Sequence, residues 1–375
     1  MKVGIDTFGT EHGRSGLGSY LISLVKNLPE SEDISYELFG PELDRFTFNG
    51  DRDFPYVSVP TLDTDKSDLR WHKLKANSFG KKQLYDVILY ASGSRMIPDR
   101  FKVKGVAVVN DIVSSVLSHT EGFGSRHQIR AGLSHVDCII ASSQYIKKDI
   151  ERSKIHCKRI EVIHNGVDQT LFYPRANAEV ESDLVDIKPF AIKKPYLIYP
   201  SRINNSGKKH VELVKAFTIF KEKTGAPHRL VIAGNESQAY GDLVHKAVFE
   251  SSAASDIFIT GHFPYENFPE LYRNAEACLF PSVTEGVGLS VLEAMASGIP
   301  VACASAGALP EVAGKNALYF DSSNIQEMAD SIERIVSDET LRLKLVKDGL
   351  EWAKRFSWEK NALATVAVLE SVLGK

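Results

Sequence analysis

Two glutamates, Glu285 and Glu293, sit in a stretch that reads PSVTEGVGLSVLEAMASGIPVACASAGALP over residues 281–310. The stretch leaves an apolar run at 277–280, passes a glycine-rich turn and enters a helical pattern at about 287–297. A turn of this kind at a helix N-terminus aims backbone N–H groups and the positive dipole end into one small volume, which suits phosphate or sugar oxygens. Gly286 and Gly288 allow a ligand close to the backbone. Glu285 falls just beyond the carboxyl end of the apolar run, where α/β sheets bind ligands. Glu293 lies among Leu292, Ala294, Met295 and Ala296, and a carboxylate there needs strong donated hydrogen bonds, such as those of paired ribose hydroxyls. The alternative is a helix-capping Glu285 and a solvated Glu293.

A second constellation carries the opposite charge. The apolar run 196–199 ends in Pro200, Ser201 and Arg202, and a loop through Gly207 brings Lys208 to the start of a helix expected at 209–224. Arginine can hold oxygens bidentately and lysine acts as a point charge, so the pair suits a diphosphate. Ordinary surface charge is the alternative, although cations at a helix N-terminus oppose its dipole unless an anion compensates them.

The elements that must position these residues are legible from the spacing of apolar runs. Strands are expected at 3–5, 36–39, 56–59, 87–90, 106–109, 138–141 and 161–163. A second series follows at 196–199, 230–233, 257–260, 277–280, 301–304 and 318–320. The runs are unbroken, as in strands buried on both faces of a parallel sheet, and helical segments between them supply the crossovers. This predicts an α/β protein of two Rossmann-like, doubly wound parallel-sheet domains: residues 1–170, a linker at 171–195, a second domain at 196–356, and a closing helix at 357–375. The chain has 375 residues, beyond the roughly 250–300 at which a single core stops growing.

Composition narrows the class further. Hydrophobic residues make up 43% and charged residues 25%, with a net charge of −3, so nucleic acid is not an expected partner. The sequence shows neither a membrane-length apolar run nor a signal-peptide core, which makes the cytoplasm the expected compartment. Cys138, Cys157, Cys278 and Cys303 lack metal-ligand spacing and read as free thiols. Basic clusters at Lys73, Lys75, Lys81 and Lys82, and at Lys147, Lys148, Arg152, Lys154, Lys158 and Arg159, read as solvated faces or as a surface for anionic headgroups. Asp-x-Asp patterns at 51–53 and 63–65 follow no clear strand, so no metal is expected there.

The run from Glu285 through Gly286, Val287, Gly288 and Leu289 to Glu293, continuing to Val301, resembles the signature of glycosyltransferase family 4. Arg202 with Lys208, Asn165–Asp168, residues 230–234, Gly307 with Pro310 and Glu311, and the Phe356-Ser357-Trp358 entry to the last helix are similar to the family as well. The resemblance covers nearly the whole chain and is strongest from residue 160 onward. It implies the GT-B fold, two domains facing across a cleft, and retention of anomeric configuration without metal or other cofactor.

At matching positions, the resemblance implies that Arg202 and Lys208 bind the donor diphosphate and stabilise its leaving charge. It implies Glu293 on the ribose, Glu285 on the transferred sugar, and the backbone of Gly286, Val287, Gly288 and Leu289 on sugar or phosphate oxygens. Gly16 and Gly18, in the loop GRSGLGSY over residues 13–20, would contact phosphate or acceptor from the first domain. That loop is not a dinucleotide fingerprint, because Leu21 stands where a third glycine belongs.

Many relatives carry a His-Asp pair after the strand at 106–109, where this chain has Asn110-Asp111. Asparagine can donate a hydrogen bond but takes no proton, so Asn110 and Asp111 form an altered acceptor side, with His119 either a nearby substitute or a loop or helix-surface histidine. The implied reaction moves a hexose from a nucleotide diphosphate sugar, GDP- or UDP-linked, to a hydroxyl of a glycan or lipid-linked acceptor. Such a step belongs to surface polysaccharide or glycolipid synthesis, with peripheral contact at the inner membrane face. A nucleotide-sugar-binding protein without transfer, or an epimerase on the same fold, is the competing reading.

Overall fold

The computed structural model describes every residue except 51, 63, 176–182, 189 and 375. By its internal contacts the chain divides into two units: Met1–Gly166 with Ser357–Lys375, and Val167–Phe356.

The first unit holds seven strands: β1 (Lys2–Asp6), β2 (Ser35–Gly40), β3 (Tyr56–Ser58), β4 (Val87–Tyr90), β5 (Lys104–Val109), β6 (Cys138–Ala141) and β7 (Ile160–Val162). They form one sheet in the order β3-β2-β1-β4-β5-β6-β7, parallel throughout. Every residue of β4 and β6 is buried, which is why their sequences are unbroken apolar runs. The last helix, Trp358–Val372, belongs to this unit. Ser357 caps it by accepting from Lys360 N at 3.1 Å, and Trp358 packs edge-on against Tyr20 of helix Gly16–Asn27 at 5.7 Å. That packing buries Ala362, Thr365, Val366 and Leu369.

In the second unit, β8 (Leu184–Ile187) and β9 (Phe190–Lys193) form an antiparallel hairpin. This hairpin occupies part of the stretch read from sequence as a linker; residues 176–182 and 189 of that stretch lie outside the described residues. The hairpin has a physical basis, since Ile187 and Ile192 are buried while Leu184, Asp186 and Lys193 face out. Its strands alternate as a one-sided antiparallel pair does. The six parallel strands are β10 (Tyr196–Pro200), β11 (Arg229–Ala233), β12 (Ile257–Ile259), β13 (Ala277–Phe280), β14 (Val301–Ala304) and β15 (Leu318–Phe320). Their order is β12-β11-β10-β13-β14-β15.

Each parallel sheet reverses its direction of growth once, between β1 and β4 and between β10 and β13. Loops leaving two such adjacent strands diverge to opposite faces of the sheet and open a crevice at their carboxyl ends. Both parallel-sheet α/β domains expected from the sequence are present, with all thirteen expected strands.

Candidate functional site

In the second unit the reversal lies between β10 and β13, which pair in register at Leu197 with Ala277 and Ile198 with Cys278, and the loops that leave these two strands carry the candidate residues. The first loop is built by Asn205, whose side chain accepts from Gly207 N at 3.0 Å. It opens the short turn Ser206–Lys208. Lys209 follows with a φ of 59° and the helix His210–Thr224 begins. Tyr199 donates to the Lys208 carbonyl at 2.8 Å and anchors this turn to the end of β10.

The second loop is tied to the first. Val283 N donates to the Gly207 carbonyl at 2.8 Å, and a Cβ on Gly207 would fall 2.3 Å from Thr284 Cγ2. Only glycine lets the loops approach this closely. From β14, Ala308 N donates to the Glu285 carbonyl at 2.8 Å. Gly307, at a φ of +62°, has room for no side chain, because its Cβ would stand 2.7 Å from the same oxygen.

These constraints bring Lys208 and Glu285 together, with Nζ 2.5 Å from Oε1 and both side chains about one-fifth exposed (19% and 21%). Glu285 is therefore not a helix cap. The helix Leu289–Ala296 begins at Gly288, in the left-handed region at a φ of 69°, with no side-chain cap. Arg202 is exposed and has no ion-pair or side-chain hydrogen-bond partner among the described residues. The Lys208–Glu285 pair answers the like-charge cost of a lysine beside a helix N-terminus, and Arg202 is left with its charge uncommitted.

Glu293 is not solvated either: its exposure is 5%. Tyr265 donates to Oε1 at 3.2 Å and Tyr272 to Oε2 at 3.1 Å. Burial pushes its carboxyl up to about 7, against the pull of hydrogen bonds from Tyr272, Tyr265 and Ser290. No spacing in the sequence links residues 265 and 272 to 293. The one available signal is the demand of a buried carboxylate for donors, which phenols can satisfy.

The first unit presents its own loops. Gly16 is exposed with open space beside it, whereas Gly18 is buried. The Gly18 amide donates to the cap Ser15 at 3.1 Å, and a Cβ there would lie 2.5 Å from Gly13 Cα. Gly18 thus shapes the loop, and its N–H is already committed. Asn110 follows β5; its Oδ1 accepts from Asn165 Nδ2 at 3.3 Å, and its own Nδ2 is buried with no partner among the described residues. Asp111 is held by Arg95, Nε at 2.9 Å and Nη2 at 3.2 Å, and by Ser94 Oγ at 2.9 Å.

His119 ends the helix Val113–His119, exposed, with Nδ1 facing the Ser115 carbonyl at 2.8 Å, the position of a helix-surface histidine. Sequence reading also missed a fully buried pair at the end of β1, Asp6 Oδ2 with His72 Nε2 at 2.7 Å. Burial opposes charge on His72, yet Asp6 and the Asp68 carbonyl together raise its pKa. Of the Asp-x-Asp patterns, Asp51 and Asp63 lie outside the described residues. The four cysteines are free thiols, with Cys138, Cys278 and Cys303 buried.

Comparison with known proteins bears on this arrangement. Residues 14–171 match the family described as Glycosyltransferase Family 4, and residues 181–352 match glycosyl transferases group 1. An O-antigen chain mannosyltransferase B of Escherichia coli is 31% identical over 154 residues, which are 41% of this chain and 40% of that protein. A D-inositol 3-phosphate glycosyltransferase of Corynebacterium urealyticum is 27% identical over 248 residues, 64% of this chain and 58% of that one. The matched stretch thus spans between two-fifths and three-fifths of the length of these relatives. HepE of Anabaena, crystallised with UDP and glucose, superposes with a TM-score of 0.76 at 18% identity, covering 99% of this chain and all of HepE (100%). With both families matched along the chain and the fold shared, the protein belongs to the GT-B glycosyltransferases of the family 4 type.

Proposed function

We propose that this protein is a retaining hexosyltransferase that uses a nucleotide diphosphate sugar and needs no metal. The observation that carries the reading is the convergence of Lys208, Glu285 and the glycine-rich helix start at the carboxyl ends of β10 and β13, with Glu293 buried on the helix that follows.

Arg202 and Lys208 bind the diphosphate and stabilise the charge that develops as it leaves, which fixed cations do most effectively when already aimed. Glu293 accepts from the ribose hydroxyls. Glu285 meets the transferred sugar near its anomeric carbon, and the amides of Gly286, Val287, Gly288 and Leu289 meet sugar or phosphate oxygens. The bond from the anomeric carbon to the leaving phosphate oxygen breaks. A bond to the acceptor oxygen forms on the same face, and the acceptor proton passes to the departing phosphate. No side-chain base is required, which accommodates Asn110 where relatives carry histidine. Asn110 Nδ2 supplies a neutral hydrogen-bond donor on the acceptor side.

HepE was crystallised with UDP and glucose, and the Escherichia coli relative is an O-antigen chain mannosyltransferase. They support a UDP-linked hexose as donor and a surface glycan as acceptor, while a GDP-linked donor and a lipid-linked acceptor rest on the family resemblance alone. A donor-binding protein without turnover is the second reading, favoured by Asn110 alone.

A thermal-shift titration with UDP, GDP, ADP and dTDP, with and without magnesium, tests the proposal, since a ligand of the folded state raises stability by mass action. Selective stabilisation by one diphosphate, independent of magnesium, followed by sugar release from the matching donor is the expected outcome. Stabilisation by none of the four would refute the reading, and binding without transfer to any hydroxyl acceptor would favour the second.

A further inference from the structure

Glu293 is a buried acid, 5% exposed, and no Lys, Arg or His pairs with it among the described residues. Its ionised form therefore depends on donated hydrogen bonds. The two phenols that supply them differ in freedom. Tyr272, on the helix Phe268–Arg273, is fully buried, and its hydroxyl also reaches the Ser290 carbonyl at 3.4 Å. Tyr265, in the turn Tyr265–Asn267, is 47% exposed. Phe172 stands edge-on to both rings, at 6.2 Å from Tyr265 and 5.8 Å from Tyr272.

We infer that Tyr272 is a positioning residue for Glu293, fixing Oε2 whether or not ligand is bound, and that Tyr265 occupies Oε1 until a vicinal diol replaces it. The inference rests on the ribose role proposed above for Glu293. A carboxylate accepts two donors from a diol well only when ionised and held in one orientation. Tyr272 provides the orientation at no cost on binding, because its bond is already made. Tyr265 stands where solvent can take up its hydroxyl when the ligand displaces it.

The other titratable groups near this cluster are the Cys278 thiol on β13, raised by burial and by Glu293, and Asp168, whose field reaches Tyr265. Both phenols stay protonated donors, because burial and Glu293 push them well above their ordinary range. With the Glu293 carboxyl pushed up to about 7, diol binding strengthens as pH rises through neutrality. Losing the Tyr272 hydroxyl moves that rise to higher pH.

The experiment is calorimetric titration, across about pH 6 to 9.5, of wild type, Tyr272→Phe, Tyr265→Phe and Glu293→Gln. The probe is whichever of UDP, GDP and ADP, which carry the ribose 2',3'-diol, stabilises the wild type. Tyr272→Phe is expected to weaken binding about tenfold near neutral pH, one hydrogen bond's worth, with the deficit closing at the alkaline end. Tyr265→Phe is expected to bind at least as tightly as wild type at the alkaline end, because a competitor for Oε1 is gone. Glu293→Gln should bind weakly and rise through neutrality less than wild type, keeping only the part that the probe's own terminal phosphate gives every variant. A Tyr272→Phe deficit of equal size at every pH, or none, would overturn the inference while leaving the ribose reading intact if Glu293→Gln is still weak. Wild-type affinity in Glu293→Gln would overturn both, as would a wild type stabilised by none of the probes. Should Tyr272→Phe not fold, Tyr265→Phe decides: a loss of affinity at the alkaline end rejects the exchange.

Discussion

Lys208 Nζ and Glu285 Oε1 lie 2.5 Å apart although 77 positions separate them in the chain. The pair bridges the loops of two adjacent strands, and its members are half-buried rather than free on the surface. A cation and a carboxylate held this way can each be redirected to a ligand without first being ordered, which is the advantage of a preorganised site.

Replacing Lys208 or Arg202 by alanine should lower kcat by on the order of a hundredfold each, through the lost leaving-group stabilisation. The two variants should differ in a telling way. Arg202 has no side-chain partner among the described residues, so its removal leaves the apo loops unchanged, while removing Lys208 also releases Glu285. Steady-state kinetics with the matched donor check this, and wild-type turnover in either variant would end the phosphate-clamp assignment.

Glu293→Gln should stabilise the fold above neutral pH while weakening donor binding. In the folded chain the carboxyl holds its proton up to about 7, whereas its ordinary value is 4.5. The folded state therefore binds more protons between those values, and stability falls as pH rises through that window. Glutamine is exempt, so its advantage should grow from nothing near pH 4.5 to as much as about 3 kcal/mol at pH 8. Urea denaturation at both pH values measures it, and an equal difference at the two would contradict the assignment.

Gly307→Ala should cost about 1–3 kcal/mol and reduce turnover with it, because alanine must take a left-handed backbone and meet the Glu285 carbonyl. Denaturation midpoints and kcat should fall together. A variant that is active but destabilised would separate the loop's folding role from its placement of Glu285.

Addition of a chelator should change the transfer rate less than about twofold, since protein cations are assigned the charge that a divalent ion would otherwise neutralise. Complete loss of activity would return attention to the Asp-x-Asp patterns.

The fold was legible because parallel strands buried on both faces leave unbroken apolar runs, and all thirteen appear where those runs stand. The hairpin Leu184–Ile187 with Phe190–Lys193 was not, because its short alternating strands sit among charged residues and prolines that read as a linker. Among the candidate site residues, Arg202, Lys208, Glu285 and Glu293 stood out by residue type and by position at strand ends and helix starts. Their partners did not: Tyr265 and Tyr272 carry no periodic signal, and the commitment of the Gly18 amide to Ser15 depends on a cap geometry that the glycine pattern conceals. His119 was legible as a helix-surface histidine, and it ends the helix Val113–His119 exposed.

The last helix, Trp358–Val372, completes the core around Tyr20, while everything from Val167 to Phe356 belongs to the other unit. One domain is thus topologically an insertion within the other. During synthesis the second-made unit can finish its core while the first still waits for a helix emerging some two hundred residues after the strands it must cover. The early sheet must therefore stay partly uncovered on the ribosome, and aggregation or chaperone capture of nascent chains should concentrate on the N-terminal unit.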